Sequence, residues 1–465
     1  MRMFLKILVI VSRIIVGSLF IISGLIKMND AYGFSYKLDE YFGEKVFNMP
    51  FLSEYTLGLA IFICIAEVLL GVAVLAWAKQ KLTTVLLFVL IVFFGWLTFY
   101  TANCDPHEVV TIVQDGELVE TTKECVLECG CFGNAIPLTP WESFYKDLFL
   151  GVFVIILLVY AFFLEKKEDF DRAIELNQKL YWGTLAGALL LIYAFSAALL
   201  DWLFPVLFSI ICFILIEVIR RRMTGTLTDW VGAGAVAVFC MLFSYCTVNY
   251  LPIKDYRGFS EGSNIIHNMK SAAELGLEAP VYANEYTLTN LNSKKDTLVL
   301  SNWWLENYNT EWYKRTYDVK SYKGREILLK DGYSPPIPDF TLEDLYGDFK
   351  EEEVLNYAGY TLMIVTKDLD IMKEKDISDL KQLCSEFNSN GHKAIVLAAG
   401  EAASKEGIIS YKQASGFDVP FYLADQIMLK TMIRSNPGII LLKDATVMRK
   451  WSWKALPSYS EIEFN

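Results

Sequence analysis

Nine cysteines occur in 465 residues, and four of them, Cys104, Cys125, Cys129 and Cys131, crowd the stretch between residues 103 and 142. In an oxidising compartment, thiols gathered in one loop form disulfides more often than they stay free. Three pairings are open. Asp115-Gly116, flanked by Val109–Gln114 and Glu117–Thr122, is a strong two-residue hairpin signal. It sets Cys104 and Cys125 near the open ends of a small hairpin, where a bridge across the base is plausible, and leaves Cys129 and Cys131 as a second pair. Two cysteines one residue apart close a very small ring, and a strained, exposed disulfide exchanges more readily than a relaxed one. Cys129 and Cys131 therefore suit redox exchange, with Gly130 and Gly133 leaving the backbone free to bend. Two other readings stay open: purely structural disulfides, and a zinc site that adds His107 to the thiols. The metal reading has little behind it, with 3 His in the chain and no paired ligand spacing.

The elements that must position this loop are membrane helices. With 54% hydrophobic residues, the chain is more apolar than one soluble core requires. Seven stretches are long enough to cross a hydrocarbon layer of about 30 Å: residues 5–28, 51–77, 83–101, 143–164, 180–199, 202–219 and 229–250. The fifth and sixth read as a tight helical hairpin. The first has a basic start but no cleavage site, and reads as a retained helix. Lys and Arg collect in alternate loops (Arg2, Lys6; Lys79, Lys81; Lys166, Lys167, Arg172, Lys179; Arg220 to Arg222), which orients the N-terminus to the cytoplasm. The cysteine loop and everything after Tyr250 then face the periplasm of a bacterial-type inner membrane. A net charge of -12, without a basic cluster outside short loops, excludes a nucleic-acid groove.

Charges inside spans are expensive and are paired or functional. Arg13 and Glu67 lie roughly 12 and 15 Å from the cytoplasmic ends of their apolar runs, at about 1.5 Å per residue. Similar depth predicts an Arg13–Glu67 ion pair, read as a clasp between the first two spans or as part of a proton or quinone path. Cys64, Cys212 and Cys240 read as small core hydrophobes, and Cys246 as a thiol near the outer end of the last span.

Beyond Leu251 the composition is that of a soluble protein. Residues 251–335 carry short strands (286–291, 297–300) and aromatics, and Pro335-Pro336 marks a linker. Residues 336–465 follow a βαβαββα order, with strands at 361–366, 393–398, 421–424, 438–442 and 446–449 and helices near 378–390 and 401–414.

The stretch ECGCFGNAIPLTPWESFYKDLFL, with RIIVGSLFIISGLIK in the first span, resembles the DoxX and MauE group of redox-associated membrane proteins, in the Bacteroidota form that ends in a thioredoxin-like domain. The resemblance covers residues 5–165 and implies a four-helix bundle similar to that of vitamin K epoxide reductase, and a role in thiol–disulfide chemistry. The later strand and helix order resembles thioredoxin and peroxiredoxin folds, with Pro437 of Asn436-Pro437 at the family's cis-proline position. Where that family carries Cys-x-x-Cys, this chain has Thr366, Lys367, Asp368 and Leu369. Cys384 falls mid-helix and reads as core.

The expected organisation is a DoxX/MauE-like domain at 1–165, three further spans at 166–250, a periplasmic connection at 251–335 and a redox-inactive thioredoxin-like docking domain at 336–465. The leading reading is a membrane thiol–disulfide module in which Cys129 and Cys131 exchange with periplasmic protein thiols and electrons pass to or from the membrane, with a quinone as the candidate carrier and the direction of flow left open. The alternative is a non-enzymatic scaffold or assembly factor of an envelope complex. A transporter has less support, since no pair of Gly/Pro-broken spans occupies matching positions.

Overall fold

The computed structural model describes residues 2–464 apart from 106–108, 115–116, 127–129, 131, 165–169, 226, 319–322, 374–376 and 401. The chain divides into two compact units, Met1–Cys104 with Cys125–Tyr256, and Asp105–Glu124 with Arg257–Asn465. The first is a helical membrane bundle and the second is built on β-sheets.

The membrane unit comprises α1 (Arg2–Asn29), α2 (Ala31–Phe42), α3 (Thr56–Leu75), α4 (Gln80–Ala102), α5 (Pro140–Val159), α6 (Phe170–Phe195), α7 (Phe204–Arg222) and α8 (Thr228–Asn249). Among the described residues, six helices are long and apolar enough to cross a membrane. The expected span at 202–219 forms as α7, but its 19 residues end in Glu217 and Arg220 to Arg222, too polar to count with those six. It folds back along α6 through a turn at left-handed Asp201, so residues 180–219 make the expected hairpin.

α1 is the central helix, packed on α3, α5 and α6 and touching α7 and α8. Small residues make this possible. A Cβ on Gly71 would stand 2.8 Å from the Gly17 carbonyl oxygen, and one on Gly24 would stand 2.7 Å from Val68 Cγ2. Without side chains at these points, the α1 and α3 backbones approach closely, which is how spans associate when lipid is as apolar as the helices. At the far end of α1, Thr247 Oγ1 donates to the Met28 carbonyl (2.8 Å) and Asn29 Oδ1 accepts from the Ile253 amide (2.8 Å). α2 was not anticipated. Asp30 caps it by accepting from the Gly33 amide (3.0 Å), and Ala31, Phe34, Leu38 and Tyr41 are its buried face.

In the second unit, β1 (Val109–Gln114) and β2 (Glu117–Thr122) form an antiparallel hairpin in which Gln114 pairs with Glu117. β3 (Val281–Thr289), β4 (Asp296–Leu300) and β5 (Lys323–Lys330) form a sheet of order β4-β3-β5. One of its faces carries Leu288, Tyr313, Tyr317, Trp303 and Trp304. β6 (Tyr360–Thr366), β7 (Lys393–Ala398), β8 (Phe421–Leu423), β9 (Gly438–Lys443) and β10 (Thr446–Ser452) form the order β10-β9-β6-β7-β8. β6 pairs parallel with β7 and antiparallel with β9, and helices 378–389 and 405–415 fill the crossovers. β6 is buried along its whole length, as the centre of a sheet covered on both faces must be. Both edges are capped: the Val447 amide donates to the Ser263 carbonyl, and Glu343 pairs with Leu423. This closes the rows of unpaired backbone groups that invite aggregation.

The glycine contacts yield a stability test. Gly71→Val forces a side chain into the α1–α3 contact and is expected to cost about 1–3 kcal/mol, seen as a lower melting temperature of the detergent-solubilised protein. Gly95→Val, where nothing lies within 4 Å, serves as the control and leaves melting unchanged.

Candidate functional site: a cysteine loop over a charged membrane cavity

The cysteine loop is held at several described points around the undescribed Cys129 and Cys131. Cys104 and Cys125 form a disulfide with Cα atoms 5.7 Å apart, closing the hairpin base. Val126 is buried in a small cluster with Tyr41 and Leu97. Gly130 turns with φ +71°, and a Cβ there would sit 3.5 Å from the Lys37 side chain and 3.8 Å from Phe34, on the α2 surface. Phe132 is buried against Phe195 (centroids 5.8 Å apart) and carries the Lys146 ammonium 5.2 Å from its ring centre. Beyond it, Thr139 and Glu142 form a capping box that starts α5.

Phe132 lines a cavity of about 240 Å³ inside the bundle. Phe20, Phe94, Phe149 and Phe195 give it apolar walls, and Ser23, Lys27, Glu67, Lys146 and Asp147 give it polar ones. The charges are paired: Lys27 Nζ lies 2.5 Å from Glu67 Oε1, and Lys146 Nζ lies 3.0 Å from Asp147 Oδ1. Thr98 Oγ1 donates to Asp147 Oδ2 (3.2 Å). Lys27 Nζ also sits 4.8 and 5.2 Å from the ring centres of Phe94 and Phe34, close enough for cation–π attraction. Two positive and two negative groups leave the cavity neutral overall.

The expected Arg13–Glu67 pair is corrected by this geometry. Arg13 Nη1 donates to the Val74 carbonyl (2.7 Å) and Nη2 to Gln80 Oε1 (2.7 Å), and its guanidinium lies 5.0 Å from the Trp77 ring centre. It closes the α3–α4 turn, a cation on the carbonyl end of a helix. The register set by Gly17, Gly24 and Gly71 brings Arg13 level with the end of α3 and Lys27 level with Glu67. Similar distances from the ends of two apolar runs did not mean similar depth, because α1 begins at Arg2.

Lys27, Lys146 and Asp147 were not anticipated. The signal for Asp147 was available: Ser143, Asp147, Leu150, Val154 and Leu157 share the buried face of α5, so a carboxylate stands at a core position of an apolar helix. Cys64, Cys212 and Cys240 are buried, and Cys246 is exposed. Among the described residues no group of three metal-ligating side chains comes together, and His107 lies outside them.

In the soluble unit the Asn436–Pro437 bond is cis. Asn436 Oδ1 accepts from the Lys367 amide (3.0 Å) and Thr366 Oγ1 (3.2 Å), Lys367 Nζ donates to the Arg434 carbonyl (2.9 Å), and Gln426 donates to the Lys367 carbonyl (3.2 Å). The Thr366–Leu369 loop is thus tied down by hydrogen bonds. Cys384 is buried, and burial pushes its thiol pKa up to about 12.

Residues 5–107 match the family model described as methylamine utilisation protein MauE. The match spans α1 to α4 and ends before Cys125, Cys129 and Cys131. Protein TlpB of Flavobacterium psychrophilum is 28% identical over 164 residues, which is 34% of this chain and 37% of that protein. The chain therefore covers little more than a third of the curated relative it matches. No solved structure matches the chain.

Two outcomes test the site. Lys27→Ala strands Glu67 as a buried charge and is expected to cost about 3–5 kcal/mol. The double variant Lys27→Met/Glu67→Leu recovers most of that loss, as thermal unfolding in detergent would record. In the soluble unit, about one Cys384 thiol in ten thousand is ionised at pH 8 when the pKa is about 12. Cys384 should therefore stay unmodified by iodoacetamide at pH 8 in the folded protein and react once denaturant opens the domain, as peptide mapping would show.

Proposed function

We propose that this protein is a thiol–disulfide redox module of a bacterial inner membrane, with its N-terminus cytoplasmic and its cysteine loop and soluble domain periplasmic. In the forward step a thiolate of a periplasmic partner attacks the Cys129–Cys131 disulfide, and the partner's second thiol resolves the mixed disulfide. The partner leaves as a disulfide, and Cys129 and Cys131 are left as two thiols. Restoring their disulfide removes two electrons and two protons, which an acceptor in the membrane takes up.

The observation that carries this reading is the anchoring of the loop. Phe132, next to Cys131 in sequence, is buried in the wall of a charged cavity within the membrane unit, while the Cys104–Cys125 bridge holds the loop's other end. The resemblance to the DoxX and MauE group supports the same chemistry. A quinone ring fits the cavity: the aromatic walls match a flat apolar body, and Ser23, Lys27 and Lys146 carry donors suited to carbonyl oxygens. Bound there, a quinone would supply the two-electron, two-proton acceptor. Ser23, Lys27 and Lys146 would orient it, and the surrounding phenylalanines would keep water out.

The hydrogen-bonded Thr366–Asp368 loop favours docking rather than catalysis for the thioredoxin-like domain, with periplasmic protein thiols or subunits of an envelope complex as the docked partner. It also keeps alive the second reading, a scaffold whose disulfides are all structural.

Trapping thiols in intact cells with a mass-tagging alkylator separates the two. The module predicts Cys104 and Cys125 fully oxidised, and Cys129 and Cys131 in a reduced and oxidised mixture that shifts when respiration is blocked. Four cysteines that stay oxidised under every condition would leave only the scaffold.

A further inference from the structure

The last turn of α7 carries three arginines with three different surroundings. Arg220 turns inward, donating to Asp229 Oδ1 (3.1 Å) with its guanidinium 5.9 Å from the Tyr181 ring centre. Arg221 Nε pairs with Glu217 Oε1 (3.0 Å) and is 73% exposed at its side chain. Arg222 is exposed, and among the described residues no partner meets it. Glu217 balances one charge of this outward pair and leaves one over.

Directly beside this pair runs a groove of about 430 Å³ between α6 and α7. Leu189, Ile210, Phe213 and Ile214 make its apolar floor, and Trp182, Glu217 and Arg221 stand at its charged end. The helices on either side expose Leu190, Leu207 and Ile214, so the groove opens toward hydrocarbon. Trp182 lies level with Arg221, and aromatic and basic residues at one level mark the interface between hydrocarbon and headgroups.

We propose that this groove holds an anionic phospholipid, one acyl chain lying on the Leu189–Ile214 floor and the phosphate meeting Arg221 and Arg222. Charge selects the occupant. The outward arginines carry a net positive charge after Glu217 is counted, and basic pockets between membrane helices attract anionic headgroups. A zwitterionic lipid fits the floor equally well but brings its own cation to a site that already has an excess of positive charge. The other function of a basic last turn, complementing the helix dipole, is served by Arg220 alone and leaves the groove unexplained.

Native mass spectrometry of the full-length protein in detergent tests this, with phosphatidylglycerol and phosphatidylcholine of identical chains added in turn. The wild type is expected to retain phosphatidylglycerol at about tenfold lower lipid concentration than phosphatidylcholine, and Arg221→Ala/Arg222→Ala to lose that preference. Leu189→Trp, which fills the floor, should weaken both lipids alike. Arg222→Ala alone, at an exposed residue, reports a partial loss and covers the case in which the double variant misfolds. Melting in phosphatidylcholine checks that each variant is folded. Equal retention of the two lipids by the wild type, a preference that survives in the folded arginine variants, or lipid binding unchanged by Leu189→Trp would each overturn the proposal.

Discussion

The membrane unit depends on the pairing of Lys27 with Glu67. Neither ion can stay in hydrocarbon alone, since an isolated buried charge costs far more than a domain's whole margin of stability. Their attraction is unscreened by water and so requires close contact. That requirement fixes the slide of α1 along α3 to within about one helical turn, an axial step of about 5.4 Å. Gly17, Gly24 and Gly71 then allow the two backbones to close at that register, and Arg13 falls where it can cap the end of α3. A buried ion pair adds little net stability over an apolar pair of the same shape. Its contribution is positional: sliding α1 by a turn would separate the charges and drive side chains into the glycine contacts together.

The same register delivers the polar lining of the cavity. α1 brings Ser23 and Lys27, α3 brings Glu67, and α5 brings Lys146 and Asp147 to one space, with Phe132 from the cysteine loop in the wall. Lys146 links the two levels, paired with Asp147 on one side and lying over the Phe132 ring on the other. Movement of the loop cannot be independent of the cavity's electrostatics, because shifting Phe132 changes what surrounds the Lys146 ammonium.

Much of the architecture was legible because apolar length is a strong signal. The long helices and the strand order of the last domain follow from runs that admit few alternatives. What failed was anything set by contact between elements. α2 has only 12 residues, and its buried set, Ala31, Phe34, Leu38 and Tyr41, covers one face, so no hydropathy window marks it. The Arg13–Glu67 pairing assumed that depth can be counted from the ends of apolar runs, whereas the glycines set the register. Lys27 and Lys146 lie near the ends of such runs, where a charge ordinarily reaches the interface, and only the packed bundle shows that Lys27 is enclosed. β5 escaped notice because Lys323, Arg325 and Lys330 break up its apolar residues, although its pairing with β3 is regular from Tyr282 to Thr287.

The two units of the chain differ in how their loops are held, and the difference follows from local structure. A reactive thiol needs exposure and a backbone able to bend, and an electron acceptor within the bilayer needs that thiol close to the membrane. The loop after Cys125 starts at the bridge to Cys104, just past the end of α4, leads into α5, and contains Gly130 and Gly133 in left-handed conformations. The C-terminal α/β domain offers no exposed thiol. Its one cysteine is buried in a helix, and Asn436, Gln426 and Arg434 engage the backbone and side chain of Lys367. A loop bound in this way cannot undergo the local rearrangement that disulfide exchange demands.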